Sequence, residues 1–321
     1  MHALGPQPTA IRAAVKRAQP PVVLIGFNRP IQLGRVVDTV AAAEVPLVYF
    51  VSDGPRAART GEAELVSESR RQLDRIGAST EVRCIFSSTN LGCRARIQSG
   101  LDEVFAREES AVILEDDCVP DSTFFSYSAE LLDRYRSTLD VGAISGTNFC
   151  LPSAVAPHSY SFSRYPYVWG WATWSRVWSQ YDRDARSWTK RQTRERVRQL
   201  AHDAGEYRFW DASFKAIQGG FDTWDHQLAL TFLDRGLLSV VPGSNLVSNV
   251  GFGPEGTHTT GSSSLDQLRV EPLTFPLVHP AAVTLNRAFD AEVARSQYRM
   301  SRLRMAKSRI RQLVSSAGGR P

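Results

Sequence analysis

The sequence predicts an α/β fold built on a mainly parallel sheet flanked by helices, and three observations carry that prediction. Short apolar runs alternate with segments of helical period through the first half of the chain. The runs are almost continuously apolar, as strands buried on both faces are. The first two runs are closed by Asn28-Arg29-Pro30 and Ser52-Asp53-Gly54-Pro55, residues that turn a chain.

The elements follow in order. Val22 to Phe27 reads as a strand closed by Asn28-Arg29-Pro30, and a helix runs from Ile31 to Ala43. Pro46 precedes a second strand, Leu47 to Val51, which ends in Ser52-Asp53-Gly54-Pro55. A charged helix, Glu62 to Arg75, leads to a third strand, Val82 to Phe86. Asn90-Leu91-Gly92 then turns the chain into a helix reaching Arg107. A fourth strand, Ala111 to Leu114, runs into Glu115-Asp116-Asp117; a helix over Phe124–Arg136 and a fifth strand, Val141 to Ser145, follow.

The second half changes character. Tyr160 to Trp178 is rich in aromatic residues, Lys190 to Arg198 reads as a basic solvated helix, and Trp224-Asp225-His226-Gln227 opens another helix. Leu237 to Val241 is strand-like, and Gly251 to Gly261 reads as a flexible glycine-rich loop containing His258.

Composition bounds the rest. Of the 321 residues, 42% are hydrophobic and 22% charged, an ordinary balance for a globular enzyme. From Arg287 onward nine cations face two acids, a larger surplus than the net charge of +5, so the remainder is slightly acidic. The basic balance therefore belongs to the C-terminal segment, read as a helical tail with a solvated face or a contact to anionic lipid. The four cysteines form no C-x-x-C pair and read as buried thiols of a reducing compartment. No apolar run is long enough for a membrane span and the start lacks a signal-peptide core, so a cytoplasmic protein is expected, with peripheral contact at the inner face of the membrane through the tail.

The chemistry collects at strand ends, where open α/β sheets bind ligands. Alternation along an extended chain would send Glu115 and Asp117 to one side and Asp116 to the other. Three adjacent carboxylates repel, and a hard cation such as Mn2+ or Mg2+, which also takes phosphate oxygens, relieves that cost. Arg29 lies at a helix start, where its charge opposes the macrodipole, which points to an anion nearby. Asp53 reads either as a turn former or as a ligand contact. Gly170, between Trp169 and Trp171, permits close approach of a ligand or of another backbone segment. Asp225 reads as a helix cap or as a general base whose pKa burial beside Trp224 would raise. His258 joins a metal only if its loop folds back on the acidic cluster.

Taken in order from Pro21 to Gly261, these residues resemble a GT-A (Rossmann-like) glycosyltransferase, most closely the inverting N-acetylglucosaminyltransferase I family and its bacterial relatives. The resemblance implies that Asp117 binds Mn2+ or Mg2+, with His258 as a further ligand, and that Asp225 is the catalytic base. It assigns Asn28, Arg29, Asp53, Glu115, Asp116, Gly170 and Trp171 to the donor, a UDP-sugar. It divides the chain into a leader (1–20), a nucleotide-sugar-binding half (21–150), an acceptor-binding half (151–282) and the basic helical tail (283–321). The activity implied is metal-dependent transfer of a hexosyl or N-acetylhexosaminyl group to a glycan or lipid-linked acceptor in polysaccharide biosynthesis, without nucleic acid as partner. The chain departs from the family at His226, where a second acid is common, and between Tyr181 and Phe221. Two rivals are weighed: a sugar nucleotidyltransferase, which wants a glycine-rich, lysine-bearing phosphate loop that Gly26 to Pro30 lacks, and a carbohydrate-binding module without catalysis, which leaves Asp225 and the strand-tip acids without a role.

Overall fold

A computed structural model describes residues 19–150, 157–251 and 268–298. Eight strands form one sheet in the order β3-β2-β1-β4-β8-β6-β9-β7. They are β1 (Val22–Gly26), β2 (Leu47–Ser52), β3 (Glu81–Phe86), β4 (Ser110–Glu115), β6 (Val141–Ser145), β7 (Tyr160–Ser163), β8 (Trp171–Trp174) and β9 (Leu238–Pro242). Six run parallel, while β8 and β7 run against their neighbours. The predicted α/β class and its mainly parallel sheet are those observed.

The five strands read from apolar runs in the first half lie within a residue or two of their expected places, because burial on both faces leaves an unbroken apolar signature. β1 and β6 are buried along their whole length. The edge strand β3 is mostly uncovered, and Cys84 on it is exposed rather than buried. The sequence reading had not resolved β7 and β8, since in both every residue is buried and their aromatic text does not alternate.

The helices of the first half are α1 (Pro30–Ala43), α2 (Glu62–Arg71), which continues as a 3-10 turn to Arg75, α3 (Cys93–Phe105) and α4 (Thr123–Arg134). α1 shows why the pattern was readable: Pro sits at its start, and Leu33, Val36, Val37 and Val40 recur at helical spacing toward the core. A short α5 (Ser175–Trp178), α6 (Arg191–Leu200), α7 (Ala204–Gln218) and α8 (Asp225–Arg235) follow. The sequence pattern does not place α7; Asp203 caps it, accepting hydrogen bonds from the Gly205 and Glu206 amides.

One hydrophobic core fills the sheet and the helices of the first half. A second gathers Tyr165, Tyr167, Trp188, Trp210, Phe214, Leu230 and Phe289 under α6 to α8. Into it packs α9 (Arg287–Ser296), the described start of the basic tail, with Phe289 and Val293 fully buried. This corrects the expectation of a solvated helix: the cationic text begins on a helix whose apolar face closes a core. Asp290 on α9 is 0% exposed, and its carboxylate accepts from Arg164 Nε at 2.8 Å. Residues 299–321 of the tail lie outside the described residues. Among the described residues no helix is long and apolar enough to cross a membrane.

The Arg164–Asp290 pair makes the docking of α9 testable. Asp290→Ala strands a buried guanidinium and should lower the unfolding free energy by about 3–5 kcal/mol in urea titrations. A loss under about 1 kcal/mol, the value of a surface pair, would show that α9 does not close the second core.

Candidate active site at the carboxyl edge of the sheet

β1 pairs with β2 on one side and β4 on the other, so the order of strands reverses there and leaves a crevice at their carboxyl ends. Ile25 stands opposite Glu115 in this register. The loop after β1 and the acids after β4 are therefore neighbours, and Arg29 joins them. Its Nη1 donates to Asp117 Oδ2 at 2.9 Å, and its Nη2 pairs closely with Asp116 Oδ1. The Phe27 amide also donates to Asp116, at 3.3 Å.

One sequence expectation is corrected by this arrangement. Strand alternation does not continue past Glu115, because the chain turns at Asp116-Asp117 and starts the short β5 (Cys118–Pro120). Asp116 and Asp117 thus share one guanidinium instead of facing apart. Arg29, expected to lie near a ligand anion at the start of α1, also pairs with two internal anions there.

Electrostatics follow from burial. Desolvation, reinforced by Asp117, Asp116 and Asp225, pushes the Glu115 carboxyl well above the usual range, with Arg29 opposing. Desolvation likewise pushes Asp116 up to about 6, against the pull of Arg29. Burial alone would weaken the Arg29 charge, but Asp116 and Asp117 outweigh it and hold the guanidinium protonated.

The second half closes on this tip. β10 (Val247–Asn249) pairs antiparallel with β5, placing Asn249 opposite Cys118. The Val250 amide donates to the Asp117 carbonyl at 2.8 Å. A β-carbon on Gly251 would lie 2.2 Å from Asp117 Oδ2, so the chain crosses directly over that carboxylate. The loop beyond, with His258, lies outside the described residues.

Asp225 opens α8 and lies near enough to Glu115 to raise its pKa. Its Oδ1 accepts from the His226 amide at 2.9 Å and from Thr223 Oγ1, while Oδ2 has no hydrogen bond among the described residues. Trp224 is buried, and its ring stacks on Trp171 at 5.7 Å and 28°.

Three residues expected at the donor have other work here. Trp171 is 0% exposed and supports Trp224 from behind, so it presents no open face for a sugar. Gly170 adopts φ +64°, and a β-carbon there would sit 2.6 Å from Val247 Cγ2; its freedom serves the packing of two chain segments. Asp53 accepts from the amides of Gly54, Leu91 and Gly92 at 2.9–3.0 Å, with Leu91 reaching both oxygens, which makes it a brace for the loop before α3 rather than an open acceptor. Asn28 donates to Glu62 Oε1 at 3.1 Å, and Glu62 also receives the Arg56 amide at 2.7 Å.

The sequence reading missed Glu62, Arg56, Cys93, Asp222 and Tyr298. Burial, then Glu115, Asp222, Asp225 and Asp116, drives the Cys93 thiol upward, so these four carboxylates surround it. Burial and then Asp225 push the Tyr298 phenol upward, and its ring packs on Tyr165, Phe209 and Trp210 in the second core. Only Asp222, an acid just before a helix start, carried a readable local signal.

The donors fit one kind of metal. Among the described residues no group of three His, Cys, Asp or Glu side chains could hold an ion. Asp117 offers a carboxylate edge shared with Arg29, which suits a Mg2+- or Mn2+-type cation that draws its other ligands from a diphosphate and water. It does not suit a caged structural ion.

No described protein family and no curated protein matches the chain in sequence. Among solved structures it is similar to the mannosyltransferase PcManGT from Pyrobaculum calidifontis in complex with GDP-Man and Mn2+, at 13% identity over 70% of this chain and 77% of that one, TM-score 0.39. It is also similar to glucosyl-3-phosphoglycerate synthase from Mycobacterium tuberculosis in complex with Mn2+, UDP and phosphoglyceric acid, at 11% identity over 55% and 62% of the two chains, TM-score 0.33. A UDP-glucose pyrophosphorylase complexed with UDP-glucose follows at 9% identity over 45% and 62%, TM-score 0.26. The chain thus spans about three-fifths of the synthase and of the pyrophosphorylase.

The charge arrangement predicts a titration. Carboxyl carbon NMR of the metal-free protein should find Asp116 protonating as pH falls through about 6, and Arg29→Gln should move that titration higher. An Asp116 that titrates near the usual value of about 4 would contradict the burial described.

Proposed function

We propose that the protein is a metal-dependent GT-A glycosyltransferase that moves a hexosyl or N-acetylhexosaminyl group from a UDP-sugar to a glycan or lipid-linked acceptor, with inversion. One observation carries this reading: Asp225, whose Oδ2 has no hydrogen bond among the described residues, lies close enough to Glu115 at the end of β4 for its charge to act on that carboxyl. A base set opposite a charge-neutralising centre is what direct displacement at a sugar requires.

In this reading the acceptor hydroxyl oxygen bonds to the anomeric carbon while the bond from that carbon to the diphosphate breaks. Asp225 takes the hydroxyl proton on Oδ2, and Thr223 and the His226 amide fix the other oxygen. Arg29 lies beside Asp117 and adds positive charge where the diphosphate would sit. A divalent cation on Asp117 would supply the remaining neutralisation of the leaving group. Glu115, whose carboxyl is pushed well above the usual range by burial and by Asp117, Asp116 and Asp225, would donate a hydrogen bond to a donor hydroxyl when it carries a proton. Trp171 enters through Trp224 alone, by holding the residue before the base in place.

A cytoplasmic place in polysaccharide biosynthesis belongs to the same proposal. Four free cysteines support the reducing compartment.

The test is nucleoside diphosphate release from a panel of nucleotide sugars with Mn2+ and acceptor saccharides. Asp225→Ala should lower turnover by about 10²-fold or more, and Asp117→Ala should do so through the diphosphate, both with unfolding midpoints retained. Unchanged turnover in both variants would overturn the assignment, and release of pyrophosphate would mark a nucleotidyl transfer instead.

A further inference from the structure

Leu91, Gly92, Cys93 and Arg94 present four successive backbone N–H groups, and two aspartates from distant parts of the sequence receive all four. Asp53 takes the first pair. Asp222 takes the second, with Cys93 N at 3.2 Å and Arg94 N at 2.9 Å.

These amides open α3, and the first turn of any helix leaves its N–H groups without internal partners. The residue before α3 is Gly92, which has no side chain to cap them. The cap therefore comes from Asp222, about 130 residues further along the chain. Gly92 sits at φ +86°, and a β-carbon on it would approach Asp222 Oδ2 to 3.1 Å, so glycine both makes the turn and admits the carboxylate.

The segment that carries Asp222 also carries Asp225, and it is internally tied. The Thr223 amide donates to the Phe221 carbonyl at 3.1 Å. Thr223 Oγ1 donates to Asp225, and Gln227 Nε2 donates to the Thr223 carbonyl at 2.6 Å. A displacement of Asp222 is thus passed to Asp225. On the other side, Asp53 fixes the same four-residue stretch to the end of β2, two strands from the acidic tip of β4.

We infer that Asp222 is a positioning residue: by capping α3 from the second half of the chain, it sets the separation between Asp225 and the carboxylates at the end of β4. The contact is a property of the fold, whereas its catalytic consequence rests on the glycosyl-transfer reading above. Both carboxylate oxygens of Asp222 are used, Oδ2 by Cys93 N and Oδ1 by Arg94 N, so Asn, with one acceptor oxygen, keeps one of the two bonds and Ala keeps neither.

Asp222→Ala and Asp222→Asn in the full chain separate these points. In Asp222→Ala the amides of Cys93 and Arg94, and those of Asp225 and His226 in the first turn of α8, should exchange hydrogen faster. Affinity for UDP with Mn2+ should stay the same, while kcat falls on the order of tenfold to a hundredfold with KM for the donor unchanged. Asp222→Asn, which keeps one of the two acceptors, should restore part of the exchange protection and part of kcat. Unchanged exchange at Asp225 and His226 in Asp222→Ala would overturn the inference, as would an Asn variant no better than Ala. A wild-type protein without transfer activity would sink the functional reading alone, leaving the exchange measurements to decide the role of Asp222.

Discussion

The guanidinium of Arg29 holds the loop after β1 against the turn after β4, and the candidate site is organised around that charge. Two carboxylates, 87 and 88 residues away in sequence, converge on it. A buried pair of this kind gives up hydration on every partner, and the mutual attraction has to offset that loss. Here the balance is incomplete by construction: three acids meet one cation, and burial with the neighbouring acids pushes the Glu115 carboxyl well above the usual range. Such a residual imbalance is a poor device for stability alone. It is a reasonable one for a crevice that receives a cation together with an anionic leaving group, because the ligand supplies the missing compensation.

The location of that imbalance follows from topology. The sheet reverses its order between β1 and β4, the kind of place where open α/β sheets bind ligands. The second half then brings α8 in from the other side, with β8 and its Trp171 wedged between β4 and β6 as the structural link. Trp171 and Trp224 stack, so the strand that completes the sheet also fixes the approach of the helix bearing Asp225.

Much of the fold was legible because the first half obeys simple periodicities. Buried parallel strands show as apolar runs, and Pro30 and the Leu33–Val36–Val37–Val40 stripe announce α1. The places of Arg29, Asp117 and Asp225 at a helix start, past a strand end and at a helix start were also legible, from the turn residues and apolar runs around them. Their partners were not. That Arg29 pairs with both Asp116 and Asp117 depends on a turn at residues 116 and 117 that the rule of alternation does not foresee. That Asp53 braces a loop, and that Trp171 and Gly170 serve packing, depends on tertiary contacts with Leu91, Trp224 and Val247. The role of Asp222 is of the same kind: a cap is a local motif, but here its two parts lie far apart in the chain. The basic tail misled for a different reason. Net charge describes a helix's outer face and says nothing of Phe289, Asp290 and Val293 on its inner one.

The claim on which the account turns is that the Asp117 edge, with Arg29 beside it, binds a divalent cation only together with a diphosphate. Electron paramagnetic resonance of Mn2+ measures this directly, by following free ion as protein is added with and without UDP. The account predicts weak binding of Mn2+ alone, strong binding once UDP is present, and loss of the strong binding in Asp117→Asn. Mn2+ uptake that ignores UDP, or that survives in Asp117→Asn, would contradict it.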